Sequence, residues 1–131
     1  MLKFTYTETG FHLERLAQSI DELVAWRAIV AMRVGVGVVI EPIAASFLLP
    51  ADLAGLHDLE AEARRDPSEA ISLCVADEEY LEVTLRGTWI STDSQSAEGL
   101  FVTVLRDRAE FYIQKCWQEA QSEVSVLKEV D

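Results

Sequence analysis

Histidine, cysteine, proline and basic side chains are all scarce in this chain of 131 residues, and each scarcity removes a class of function. His12 and His57 are the two histidines, so the base that normally activates a serine, cysteine or threonine nucleophile is nearly absent. Cys74 and Cys116 stand 42 residues apart with no CxxC or CxxH neighbour, which leaves no zinc signature. Eleven Lys and Arg against 23 Asp and Glu give a formal net charge of −12, and no basic stripe is available to replace counterions on phosphates. Neither nucleic acid nor a membrane surface is therefore an expected partner. No G-x-S-x-G elbow occurs, and the G-x-G of Gly35 and Gly37 lacks the third glycine of a dinucleotide site. The three prolines, Pro42, Pro50 and Pro67, do not mark a linker, and no repeat or low-complexity tract divides the chain. One domain over residues 1–131 is expected.

What is present is the composition of a folded protein, 50% apolar and 26% charged, far from the signature of disorder. The start, Met1-Leu2-Lys3-Phe4, lacks the basic-then-apolar order of a signal peptide, so a cytoplasmic protein with reduced thiols is expected. Acid is concentrated between Ala51 and Glu82, where ten carboxylates face only Arg64 and Arg65. Such a field keeps a chain soluble and favours basic protein surfaces. Ala28 to Leu49 carries only Arg33 and Glu41 as charges across 22 residues, long enough to span a bilayer. Its central glycines, Glu41-Pro42 and its β-branched residues fit buried strands of a soluble sheet better.

Leu2, Phe4 and Tyr6 alternate with Lys3, Thr5 and Thr7, and Glu8-Thr9-Gly10 turns the chain into Phe11 to Leu16, an N-terminal hairpin. Ser19 and Glu22 have capping-box spacing for a short helix from Ile20 to about Trp26. Val34-Gly35-Val36-Gly37-Val38 reads as a tight connection between strands at Arg27 to Val34 and Val36 to Ile40, with Pro42 ending regular pairing. Pro50-Ala51-Asp52 initiates a helix on which Leu53, Leu56, Leu59 and Ala63 recur at helical spacing and which Asp66-Pro67 closes. Alternation predicts strands over Ile71 to Val75, Leu81 to Ile90 and Gly99 to Leu105, the last two joined by the polar loop Ser91 to Glu98. A long C-terminal helix runs from about Asp107 to Leu127, with Ala109, Ile113, Cys116, Ala120, Val124 and Leu127 along one stripe. The expected fold class is α+β, a mainly antiparallel sheet with two or three helices packed on one face.

No catalytic residue and no metal ligand set stands out. His57 and Glu60 share a helix face, but with no second such pair they read as surface residues. Asp77-Glu78-Glu79 lacks the alternating ligands and central glycine of a calcium loop and reads as a solvated turn. Cys116, on the apolar stripe, reads as a buried inert thiol. Glu41 interrupts an apolar run and must reach solvent or a partner such as Arg33 or Arg86. Trp89, where a strand meets the polar loop, is the tryptophan to test as a contact residue, with Trp26 and Trp117 as further aromatic anchors. Ile43 to Leu49 shows no polar alternation and must be buried or covered by a partner.

Three passages resemble segments of a small conserved protein family of cyanobacteria with no assigned activity: Glu41-Pro42-Ile43-Ala44-Ala45-Ser46-Phe47-Leu48-Leu49-Pro50, Glu82-Val83-Thr84-Leu85-Arg86-Gly87-Thr88-Trp89 and Glu98-Gly99-Leu100-Phe101-Val102. The resemblance implies a cytoplasmic cyanobacterial protein linked to photosynthetic physiology, and carries over no functional residue. From the residues, the leading expectation is a non-enzymatic assembly or regulatory protein that binds other chains or itself. Phe47, Leu48, Leu49 and Trp117 are the expected interface. The alternative is a small-ligand pocket between sheet and helices with Glu41, Arg86 and Trp89 at its mouth and no cofactor.

Overall fold

The computed structural model describes residues 1–7, 10–66, 70–92 and 98–130, with side chains as far as residue 121. In chain order the elements are β1 (Leu2–Thr7), β2 (Gly10–Arg15), α1 (Ile20–Val34), β3 (Val39–Pro50), α2 (Leu56–Arg65), β4 (Ile71–Val75), β5 (Tyr80–Ser91), β6 (Gly99–Thr103) and α3 (Asp107–Val130). The strands join in the order β2-β1-β6-β5-β3, with β4 also on β5, so the fold is an antiparallel α+β sheet with three helices. Glu8, Thr9, Pro67 and the loop residues 93–97 lie outside the described residues, as do the side chains of Val124 and Leu127.

The chain forms two compact units, one from Met1–Ala45 and Arg86–Val104, the other from Ser46–Leu85 and Leu105–Asp131. In the first unit β1 lies between β2 and β6, pairing Phe4 with Leu13 on one side and with Phe101 on the other. Because strand side chains alternate, Leu2 and Phe4 are buried on one face while Lys3 and Thr5 point to the other. Phe4 stacks edge-on against Phe101 at 5.6 Å and lies 5.1 Å from Phe11, an aromatic column across three strands. On the opposite face α1 covers Ile90, Leu100 and Val102 with Leu23, and Ile20, Val24, Leu16 and Val38 pack around them. At Gly87 a β-carbon would collide with the Val102 carbonyl and the Phe101 ring, which restricts the position to glycine.

In the second unit α2 packs on α3 and on β4. Leu56 and Leu59 from α2 are buried, as are Ala109, Ile113 and Cys116 along the expected stripe of α3. The helices approach closely where Cys116 Sγ lies 3.2 Å from the place a β-carbon on Gly55 would occupy. β4 pairs with the first half of β5 in the register Ile71 to Leu85, and Asp77 closes their turn by accepting from the Glu79 and Tyr80 amides at 2.7 and 2.9 Å.

Three expectations fail. Residues 27–34 are the second half of a 15-residue helix and not a strand. Ser19 Oγ accepts from the Glu22 amide at 3.2 Å as the capping box predicts. Gly35, at φ 78°, ends the helix in a Schellman motif, its own amide bonding Met32 and that of Val36 bonding Ala31. The glycine that read as a strand connection is a helix stop. Pro42 does not end pairing, because β3 closes the strand order and an edge strand accommodates a residue without an N–H. The helix predicted from Pro50 starts only at Leu56, since residues 51–55 form successive turns.

Candidate functional site

Eight large apolar side chains are exposed within one stretch of the first unit: Trp26, Ile29, Val30, Met32, Val34, Val36, Ile40 and Ile43. The helical period accounts for most of them. Leu23 and Ala31 are buried at an interval of eight, whereas Trp26, Ile29 and Val30 follow at i, i+3 and i+4 on another face. The two stripes make α1 apolar on both sides, and only one side is covered. Trp26 is 59% exposed, Ile29 51% and Met32 77%.

Arg27 stands on the inward stripe, four residues from both Leu23 and Ala31. Its guanidinium carbon lies 5.7 Å from the centre of the Trp26 ring, and its buried Nε has no hydrogen-bond partner. It lines two hollows of the first unit. One, of about 230 Å³, is bounded by Lys3, Gln18, Leu23, Trp26, Arg27 and Leu100. The other, of about 190 Å³, includes Thr5, Thr7, Ser91, Thr92 and Glu98. Lys3 Nζ contacts Glu14 at 2.6 Å, and the two residues are direct partners across β1 and β2.

Glu41 and Arg86 are exposed on β3 and β5, and Trp89 is half-buried with its ring against Gly99, where a β-carbon would collide with it. Neither hollow is lined by any of the three. Of the four expected interface residues, Leu49 is fully buried and belongs to the core of the second unit. Phe47 and Trp117 pack edge-to-face on each other at 5.6 Å, each half-buried. Leu48 alone is well exposed, at 53%, because β3 alternates and points it away from Leu49. The continuous apolar run 43–49 is thus not buried as a block. The outer face of α1 and Arg27 were missed, although an apolar helix with an arginine at a core interval is visible in the sequence once residues 20–34 are taken as one helix.

In the second unit the buried carboxylates have structural partners. Glu62 lies 3.5 Å from Arg108 Nε and 4.0 Å from Arg65, and Glu110 accepts from the Leu105 amide ahead of α3. Glu60 pairs with Arg64 one turn on, and His57 is exposed. Burial, aided by the Glu119 carboxylate, pushes the Cys116 thiol up to about 11, so it is protonated at neutral pH. Among the described residues no group of His, Cys, Asp and Glu has metal-site geometry, and no helix is long and apolar enough to cross a membrane.

The fold and these groups define an α+β protein with an antiparallel sheet, an uncovered apolar helix face and a cation-lined hollow. The chain belongs to the Alr0857-like family, whose model matches residues 1–121. All three passages that carried the resemblance lie within that span. Comparison with curated proteins and with solved structures yields no match.

Proposed function

We propose that this protein works without catalysis, by binding another protein chain through the outer face of α1 and the residues that follow it to Ile43. The observation that carries the reading is the clustering of Trp26, Ile29, Val30 and Met32 on a helix whose opposite face already packs on the sheet. Large contiguous apolar surface is uncommon on soluble monomers and marks contact sites. Covering the exposed half of Ile29 contributes about 1 kcal/mol, and tryptophan is among the residues most enriched at binding hot spots. The charge distribution fits a partner other than a second copy. Sixteen acidic and six basic residues belong to the second unit, so two copies repel at long range while a basic chain is attracted. We place this activity in the cytoplasm of a cyanobacterium, the source that the resemblance implies.

The test combines sedimentation over a wide concentration range with recovery of bound chains from a native extract, for the wild type and for a variant carrying Ile29→Glu and Met32→Glu. The expected result is a bound protein whose affinity falls at least about tenfold in the variant, about 1.4 kcal/mol. The melting temperature should hardly change, since exposed substitutions alter stability by about 0.5 kcal/mol or less. A wild type that stays monomeric and recovers no partner sinks the proposal, and concentration-dependent dimers would transfer the surface to self-association.

A further inference from the structure

We infer that the hollow between α1 and strands β1 and β6 is a binding site for a small carboxylate with a short apolar body. The argument begins with Arg27. Its interval from Leu23 and Ala31 places it on the face of α1 that covers the sheet, a position normally held by an apolar residue. A guanidinium held against a protein interior needs a counter-charge or a full set of acceptors. Arg27 has neither. Its Nε is buried without an acceptor, and among the described residues no carboxylate forms an ion pair with it.

The remaining walls state what the missing partner looks like. Lys3 brings a second cation to the same hollow, shared with Glu14, and no carboxylate is among the six lining residues. Lys3 and Arg27 against the single carboxylate of Glu14 leave one net positive charge at this recess in a chain of net charge −12. Leu23 and Leu100 supply an apolar floor, Trp26 an aromatic wall and Gln18 an amide that can donate or accept. A guanidinium binds a carboxylate through two parallel N–H bonds, and the buried Nε supplies one of them when the side chain turns its edge into the hollow. A volume of about 230 Å³ is below the roughly 300–1,000 Å³ of drug-sized sites, so the ligand is small. Inorganic phosphate would take the cations but leave the leucines and the indole unused. The second hollow at Arg27 is the poorer candidate, because Glu98 is among its walls.

The test is a nuclear magnetic resonance titration of the full chain with benzoate, benzamide, acetate and inorganic phosphate in turn. The reporters are the Arg27 Nε–H and the Trp26 indole N–H. Benzoate should move both resonances, the first in the direction of a newly formed hydrogen bond. Benzamide, the same body without charge, should bind at least tenfold more weakly, and acetate and phosphate more weakly than benzoate. Arg27→Gln should erase the preference of benzoate over benzamide, and Ser91→Ala, in the other hollow, should leave it intact. Equal binding of benzoate and benzamide by the wild type would overturn the inference, as would phosphate binding as tightly as benzoate or an unmoved Arg27 Nε–H. Trp26 belongs to both the hollow and the contact face, but none of these readouts depends on a protein partner and Ile29 and Met32 do not line the hollow, so the two proposals are tested by separate variants.

Discussion

Cys116 and Cys74 show how one residue type acquires two chemistries from its surroundings. Cys74 is exposed on β4, and Cys116 is shut between α2 and α3 beside Gly55. Only the thiolate is nucleophilic, and burial holds the Cys116 thiol at about 11 against an ordinary 9.0. A thiol reagent at pH 7.5 should therefore label Cys74 promptly and Cys116 only on unfolding. Rapid labelling of both in the native protein would show the α2–α3 contact to be wrong. The sign of the pH effect follows from the same shift. The folded-state value lies above the unfolded one, so the neutral thiol's contribution is complete below pH 9.0 and disappears as pH rises through about 11. Loss of stability should accordingly begin on the alkaline side, measurable as a falling urea midpoint.

At the scale of elements, α1 carries both the proposed contact face and a segment whose local sequence points to a strand. Its run of Ile29, Val30 and Val34 has strand character, but the helix propensity scale spans less than about 0.7 kcal/mol per ordinary residue. A cap at each end and a packed face outweigh that. Ser19 satisfies one amide at the start and Gly35 satisfies two carbonyls at the stop. Replacing Ser19→Ala should lower stability by about 1 kcal/mol, read as a shift in urea midpoint with unchanged slope. No change would mean that tertiary packing alone holds α1. The strands were more legible, because alternation is a local signal. β1, β4 and β5 appear where their period-2 patterns fall, and the hairpin of β5 with β6 pairs Thr88 with Val102 as the flanking sequence implies. Pro42 misled because a proline reports only that its own N–H is missing, not whether its strand is at an edge.

For the whole molecule, charge is the dominant long-range term. The second unit holds a ten-charge excess of acid and the first only two, from seven acidic and five basic residues. Self-repulsion of this kind is screened as the Debye length falls from about 30 Å at 0.01 M to about 8 Å at 0.15 M salt. The melting temperature should rise over that interval, and the binding of a basic partner should weaken over it. A melting temperature that falls with added salt would show that ion pairs such as Glu62 with Arg108 outweigh the repulsion.

The amino-acid sequence by itself determined the alternating strands, the stripes of α2 and α3 and the segregation of acid, since each is a matter of local order or composition. The tertiary structure alone decided that Leu48 and not Leu49 faces outward, that one side of an apolar helix is left bare, and that Arg27 faces the sheet with its Nε unpartnered. Such outcomes depend on what distant segments place across from a side chain, and no periodicity along the chain encodes that.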